Sequence, residues 1–112
     1  MENRKSARHY ISKILENIDF IMAQMSLVEE HEFGENPLLL DSMMFRLIQI
    51  SENAKNIDND FKNQHESIPW FEMYGLRNRI VHDYGNVDLS IIYDTLVKDI
   101  PELKEALGSL ML

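Results

Sequence analysis

Ile11-Ser12-Lys13-Ile14-Leu15-Glu16-Asn17-Ile18-Asp19-Phe20-Ile21-Met22-Ala23-Gln24-Met25 decides the fold class. Ile11, Ile14, Leu15, Ile18, Ile21, Met22 and Met25, continued by Val28, recur at helical spacing, so one long amphipathic helix is predicted from roughly residue 7 to 31. No part of the chain shows the period-two alternation of a half-buried strand, and no repeat or low-complexity tract interrupts it.

Working outward, Glu29, Glu30 and Glu32 around His31 mark a polar exit from that helix. Acids beside one histidine bring a metal to mind, but without a second histidine at i+3 or i+4 a solvated helix end is the better reading. His9 and His65 carry no signal alone. Asn36-Pro37 supplies an N-cap followed by proline at the first helical position, predicting a second helix from 37 to about 60. Leu38, Leu39, Leu40, Met43, Met44, Phe45, Leu47, Ile48 and Ile50 make its first half apolar on more than one face. One face meets the core, and the other calls for a cover, of which a second copy of the chain is the simplest. The methionines read as packing.

Asp58-Asn59-Asp60 and Lys62-Asn63-Gln64-His65-Glu66-Ser67 are expected to form a loop into a third helix, started by Pro69 and stopped by Gly85. Trp70 and Phe71 at its head are expected to anchor it, with stacking on an RNA base as the minority alternative. Asp88 caps a fourth helix carrying Leu89, Ile92, Tyr93 and Leu96. Pro101 kinks or restarts that helix, leaving a short terminal helix from about 101 to 109. The expectation is an all-α chain: an up-and-down four-helix bundle with a short extra C-terminal helix, dimeric, forming a single domain over residues 1–112.

Composition bounds the function. At 112 residues with 45% hydrophobic content the chain builds one core and is too short for two. It has no cysteine, which excludes disulfides and thiolate metal sites and is compatible with a reducing cytosol. The first residues lack the apolar core of a secretory signal and no segment is apolar over a bilayer's width, so a cytoplasmic protein without a membrane partner is expected. A net charge of −8 argues against broad electrostatic capture of nucleic acid. Arg4, Lys5, Arg8 and Lys13 nonetheless crowd the start against Glu2 alone. That cluster reads equally well as local positive potential or as a solvated helix start.

Chemistry concentrates in Arg77-Asn78-Arg79-Ile80-Val81-His82-Asp83-Tyr84. On a helix at about 100° per residue, Met73, Tyr74, Leu76, Ile80, Val81 and Tyr84 fan across one apolar arc with Arg77 in its middle. A guanidinium there needs an anion, a carboxylate or a wet interface, and a structural pair with Glu52 or Glu72 is the competing reading. His82 lies about 140° from Arg77 around the helix. The two converge on one target only if the helix loosens near His82 or a second copy contributes its own pair. With Gly85 ending the helix, His82 falls in the last turn, where the dipole favours imidazolium.

Pro69 to Asp88 closely resembles the signature of the HepT-like branch of the HEPN superfamily: Arg, four residues, His, one residue, Tyr, which maps onto Arg77, His82 and Tyr84. Asn78 matches the polar residue after the arginine. Ser51-Glu52-Asn53-Ala54-Lys55 resembles the family's Gly-Glu-Ala-Ala-Lys stretch, departing at Ser51 and Asn53, and Asp99-Ile100-Pro101-Glu102-Leu103 resembles its closing Asp-Leu-Pro segment. The resemblance implies a homodimeric, metal-independent ribonuclease toxin that needs no cofactor. It also implies a type VII-like pairing with a minimal nucleotidyltransferase antitoxin, which transfers AMP from ATP to the tyrosine, here Tyr84. In such a nuclease the ribose 2′-hydroxyl attacks the adjacent phosphorus, His82 moves the proton and Arg77 stabilises the phosphorane. Asn78 would orient phosphate or ribose oxygens. Asp83 either biases the imidazole or is solvated helix-end charge, and Arg79 is an RNA contact or a surface ion-pair partner. The acidic charge keeps a second class open, a non-catalytic helical subunit that binds the nucleotidyltransferase. An inert dimerisation bundle is the third.

Overall fold

Ser6 opens the first helix, α1 (Ala7–Met25), by accepting the His9 N–H on its hydroxyl at 3.3 Å. The structure, a computed structural model, describes residues 6–83 and 88–111, the side chains of 77–83 excepted. Among the described residues every regular element is helical and no strand occurs.

Ile11, Ile14, Ile18 and Ile21 of α1 are all fully buried, as the spacing predicts. The helix stops at Met25, however, and does not reach residue 31. Ser26 turns its hydroxyl back onto the Ala23 carbonyl at 2.8 Å. Glu29 and Glu32 then cap each other reciprocally, with the Glu29 N–H donating to Glu32 Oε1 at 2.9 Å, and open the separate short helix α2 (Glu30–Gly34). The break lets Phe33 turn inward, where it is 1% exposed.

Helix α3 (Pro37–Lys55) begins as expected, with Asn36 Oδ1 accepting the Leu39 N–H at 3.0 Å. It ends five residues before the expected 60. Asp58 caps a further helix, α4 (Asn59–Gln64), by accepting the Phe61 N–H at 2.7 Å. The expected loop is therefore partly helical. Its sequence concealed this because no residue of α4 is buried, so no apolar stripe marks it.

Helix α5 (Trp70–Asp83) carries the chemical motif. Trp70 anchors its head: the ring is buried, and its indole N–H donates to the His65 carbonyl at 3.0 Å. Phe71 does not share that role, being 82% exposed. The expected stop at Gly85 lies outside the described residues.

The Asp88 carboxylate accepts the N–H groups of Ser90 and Ile91 and starts α6 (Leu89–Asp94). The short terminal helix expected from about 101 to 109 is present as α7 (Ile100–Gly108). Of the kink or restart expected at Pro101 there is no break: the chain passes through a π turn (Thr95–Asp99) straight into α7. Within that turn the Ile100 N–H reaches back five residues to the Thr95 carbonyl. Proline lacks an N–H and its ring presses on the carbonyl four residues back, so the widened turn accommodates Pro101 while the helix runs on.

Helix α3 packs between α1 and α5, α1 packs also on the π turn and α7, and α2 touches α3 and α6. Two polar links pin α1 in place. Lys104 on α7 meets Asp19 at 2.8 Å, and Arg46 on α3 donates to Asn17 Oδ1 at 3.2 Å while lying 3.9 Å from the Phe20 ring centroid. The expected second apolar face of α3 is present in part: Leu38 and Phe45 are exposed, whereas Leu39, Leu40 and Ile48 pack partly against the core. Ile14 sits in this core without any exposure. Ile14→Ala is expected to cost about 2 to 5 kcal/mol through lost burial and a residual cavity, read as a lowered urea midpoint with unchanged native helical content.

Candidate functional site

The backbone of α5 stays helical through Asp83, which places positions 77, 78, 79, 82 and 83 on one continuous rod. Arg77, Asn78, Arg79, His82 and Asp83 thus share the element expected for them; their side chains, and Tyr84 altogether, lie outside the described residues. The backbone is helical at position 82, so positions 77 and 82 stand about 140° apart on this rod.

The seat of that rod is well defined. Met73 and Leu76 are buried, and position 77 follows Met73 by about one turn. Ser51 of α3 has no exposure, and its hydroxyl donates to the Tyr74 carbonyl at 3.2 Å, tying α3 directly to α5. The departure from the family's glycine at this position therefore has a structural use. Of the carboxylates considered for Arg77, Glu52 is half-buried one residue past Ser51, while Glu72 is exposed. Glu72 lies with Asp99 and Glu102 around a cavity of about 460 Å³ between α5 and α7, floored by Met73, Leu76 and Leu103.

Glu29, His31 and Glu32 bring one ligand atom each within 4.8 Å of one another, all exposed. The two glutamates form the cap of α2, and His31 Nδ1 stands 3.6 Å from Glu29. These residues are solvated as expected, but they mark the start of α2 and not the polar exit of α1.

A groove of about 420 Å³ runs along α4 and the head of α5. Asn59, Lys62 and Asn63 line one side, and Trp70, Phe71 and Tyr74 the other, with the Lys62 ammonium 4.7 Å from the Tyr74 ring centroid. Taking α4 for a loop hid this groove. The Asp58 cap signal was the clue that could have found it.

Residues 11–110 match the family described as ribonuclease HepT-like. A protein of Thermococcus cleftensis named "probable ribonuclease HepT" is 34% identical over 101 residues, covering 90% of this chain and 92% of its own. A protein of Caldanaerobacter subterraneus subsp. tengcongensis named "putative RNase" is 30% identical over 107 residues, covering 96% of both. In Methanocaldococcus jannaschii a "gamma-glutamylcyclotransferase and putative RNase" is 32% identical over 108 residues, of which this chain spans 49% of the length. No solved structure matches.

Replacing Ser51 by Ala removes the bond to the Tyr74 carbonyl at a site with no exposure. The expected loss is about 1 kcal/mol. Urea unfolding of Ser51→Ala beside the parent chain measures it.

Proposed function

This chain belongs to the ribonuclease HepT-like family, and on that premise we propose that it is a metal-independent endoribonuclease toxin, silenced when a minimal nucleotidyltransferase antitoxin adenylylates Tyr84. The observation that carries the reading is the family match over residues 11–110 combined with Arg77, His82 and Tyr84 at the family's spacing, the first two on the C-terminal half of α5. The domain is taken to be single over residues 1–112, an up-and-down four-helix arrangement working as a homodimer.

His82 takes the proton from the ribose 2′-hydroxyl as that oxygen attacks phosphorus. The bond to the 5′-oxygen breaks, that oxygen leaves with a proton, and a 2′,3′-cyclic phosphate remains. Arg77 neutralises the charge gathering on the phosphorane oxygens. Asn78 orients phosphate or ribose oxygens, Asp83 biases the imidazole, and Arg79 meets the RNA backbone. On this reading a second protomer supplies its own pair across the cleft, which lets positions about 140° apart on a single α5 serve one target. DNA, lacking the nucleophile, is spared.

In silencing, the Tyr84 phenol oxygen attacks the α-phosphorus of ATP and pyrophosphate leaves. The added AMP brings negative charge and bulk beside Arg77 and His82, repelling substrate phosphate. A non-catalytic subunit that only docks the nucleotidyltransferase is the second reading, favoured by the net charge of −8.

Purified protein incubated with total RNA in EDTA is expected to cleave it to cyclic-phosphate ends. His82→Ala and Arg77→Ala should each lower that rate by about 100-fold or more with the fold retained. Absence of cleavage by the parent chain overturns the nuclease reading in favour of the docking subunit. The regulatory half is tested by intact mass after incubation with the cognate nucleotidyltransferase and ATP, where a gain of AMP is expected in the parent and not in Tyr84→Phe. A stable monomer in sedimentation at micromolar concentration would contradict the shared cleft.

A further inference from the structure

Phe71, Gly75, Asn78 and His82 follow one another at i, i+4, i+7 and i+11 on α5, so these four positions lie along one line of the helix within about 60° of arc. The line begins in the groove shared with α4 and runs to the position of the histidine. Three features of its described part point to a ligand.

Phe71 leaves 82% of its surface in solvent one residue after the buried Trp70, so it takes no part in anchoring α5. Beside it the groove offers what a nucleobase uses: the half-buried Tyr74 ring with the Lys62 ammonium 4.7 Å from its centroid, and the side-chain amides of Asn59 and Asn63. Among the described residues nothing lies within 4 Å of a Cβ built at Gly75, one turn on. Glycine inside a helix is destabilising, and one use that offsets the cost is to let another molecule approach the backbone closely.

We propose that this line is a track for single-stranded RNA, with Phe71 stacking on an unpaired base upstream or downstream of the cleaved bond and Gly75 leaving room for the strand. The inference rests on the ribonuclease reading and adds to it a substrate subsite and a substrate form. Along the helix, Phe71 stands about 16 Å from position 82. At about 3.4 Å per stacked nucleotide the platform therefore engages a base about five nucleotides from the scissile phosphate. Glu66 and Glu72 rim the groove. They keep phosphate away from the platform and accept from the exocyclic amines of a base, so the occupant is a base face and not the backbone. Stacking is tolerant of sequence and independent of charge, which suits a chain with a net charge of −8.

The test uses the full chain and a labelled single-stranded RNA of about 8 nucleotides, with KM and kcat from cleavage and Kd from anisotropy in a His82→Ala background that leaves the RNA intact. Phe71→Ala is expected to raise KM and Kd on the order of ten-fold with kcat and Tm retained, and by the same factor at low and high salt. Phe71→Trp restores binding and Phe71→Leu does not, which separates stacking from simple apolar contact. Gly75→Ala is expected to raise Kd while leaving Tm unchanged or higher. An actively cleaving protein whose KM and Kd ignore Phe71→Ala overturns the track and leaves the nuclease standing. Binding that depends on Phe71 without any cleavage by the parent does the reverse. A parent chain that neither binds nor cleaves the oligonucleotide sinks both. A Phe71→Ala variant that binds RNA normally but shifts the sedimentation coefficient assigns the residue to a protein interface and overturns the track.

Discussion

The seam between α3 and α5 is the constraint on which the placement of the chemistry depends. Apolar burial of Met73 and Leu76 drives α5 onto α3, but that attraction has no direction along the helix axis and tolerates sliding. The Ser51 hydroxyl supplies the missing direction. It grips one particular carbonyl, that of Tyr74, one turn before position 77, so the axial position of α5 is fixed next to the residues assigned to catalysis. Trp70 ties the head of the helix to the end of α4 through its bond to the His65 carbonyl. A rod held at two points presents its remaining residues at fixed heights and angles, the preorganisation that phosphoryl chemistry requires.

The long helices were readable because their buried residues keep a regular period. Ile11, Ile14, Ile18 and Ile21 are buried at the predicted spacing, and Asn36 and Asp88 cap the helices their side chains announced. What could not be read were elements whose signal is not periodic burial. The end of α1 at Met25 is decided by competition, because Glu29 and Glu32 stabilise a new helix start and free Phe33 to turn inward, whereas from sequence those acids look like surface charge. Helix α4 has no fully buried residue, only Phe61 packing partly against the core, and its sequence signal is the Asp58 cap. Pro101 usually breaks a helix; the π turn that absorbs it is a backbone adjustment with no counterpart in residue types.

The candidate site was legible to a similar depth. Spacing placed Arg77, Asn78, Arg79, His82 and Asp83 on one helix, which is where they are. The same spacing left two ways for Arg77 and His82 to meet, and the backbone is helical through Asp83, the last described residue of α5. The head of the helix was misjudged for an identifiable reason. Trp70 and Phe71 are adjacent aromatics that point about 100° apart on the helix, and here only the first faces the core. Treating the pair as one anchor overlooked that geometry.

An acidic ribonuclease faces an electrostatic problem that its helices address by location. With 19 acidic residues against 11 basic ones, the chain repels polyanions at a distance, and this repulsion is screened only beyond about 8 Å at physiological ionic strength. Favourable contacts must then be short-ranged and concentrated. On the proposed reading helix α5 concentrates them: two arginines in its C-terminal half for phosphate, and at its head an exposed aromatic ring whose attraction to a base is indifferent to net charge. Duplex RNA hides its base faces in the stack and offers mainly phosphate and sugar, the groups an acidic surface handles worst. Unpaired RNA exposes those faces. Charge balance and the geometry of a single helix therefore favour the same form of substrate, and they do so without any need for a basic surface.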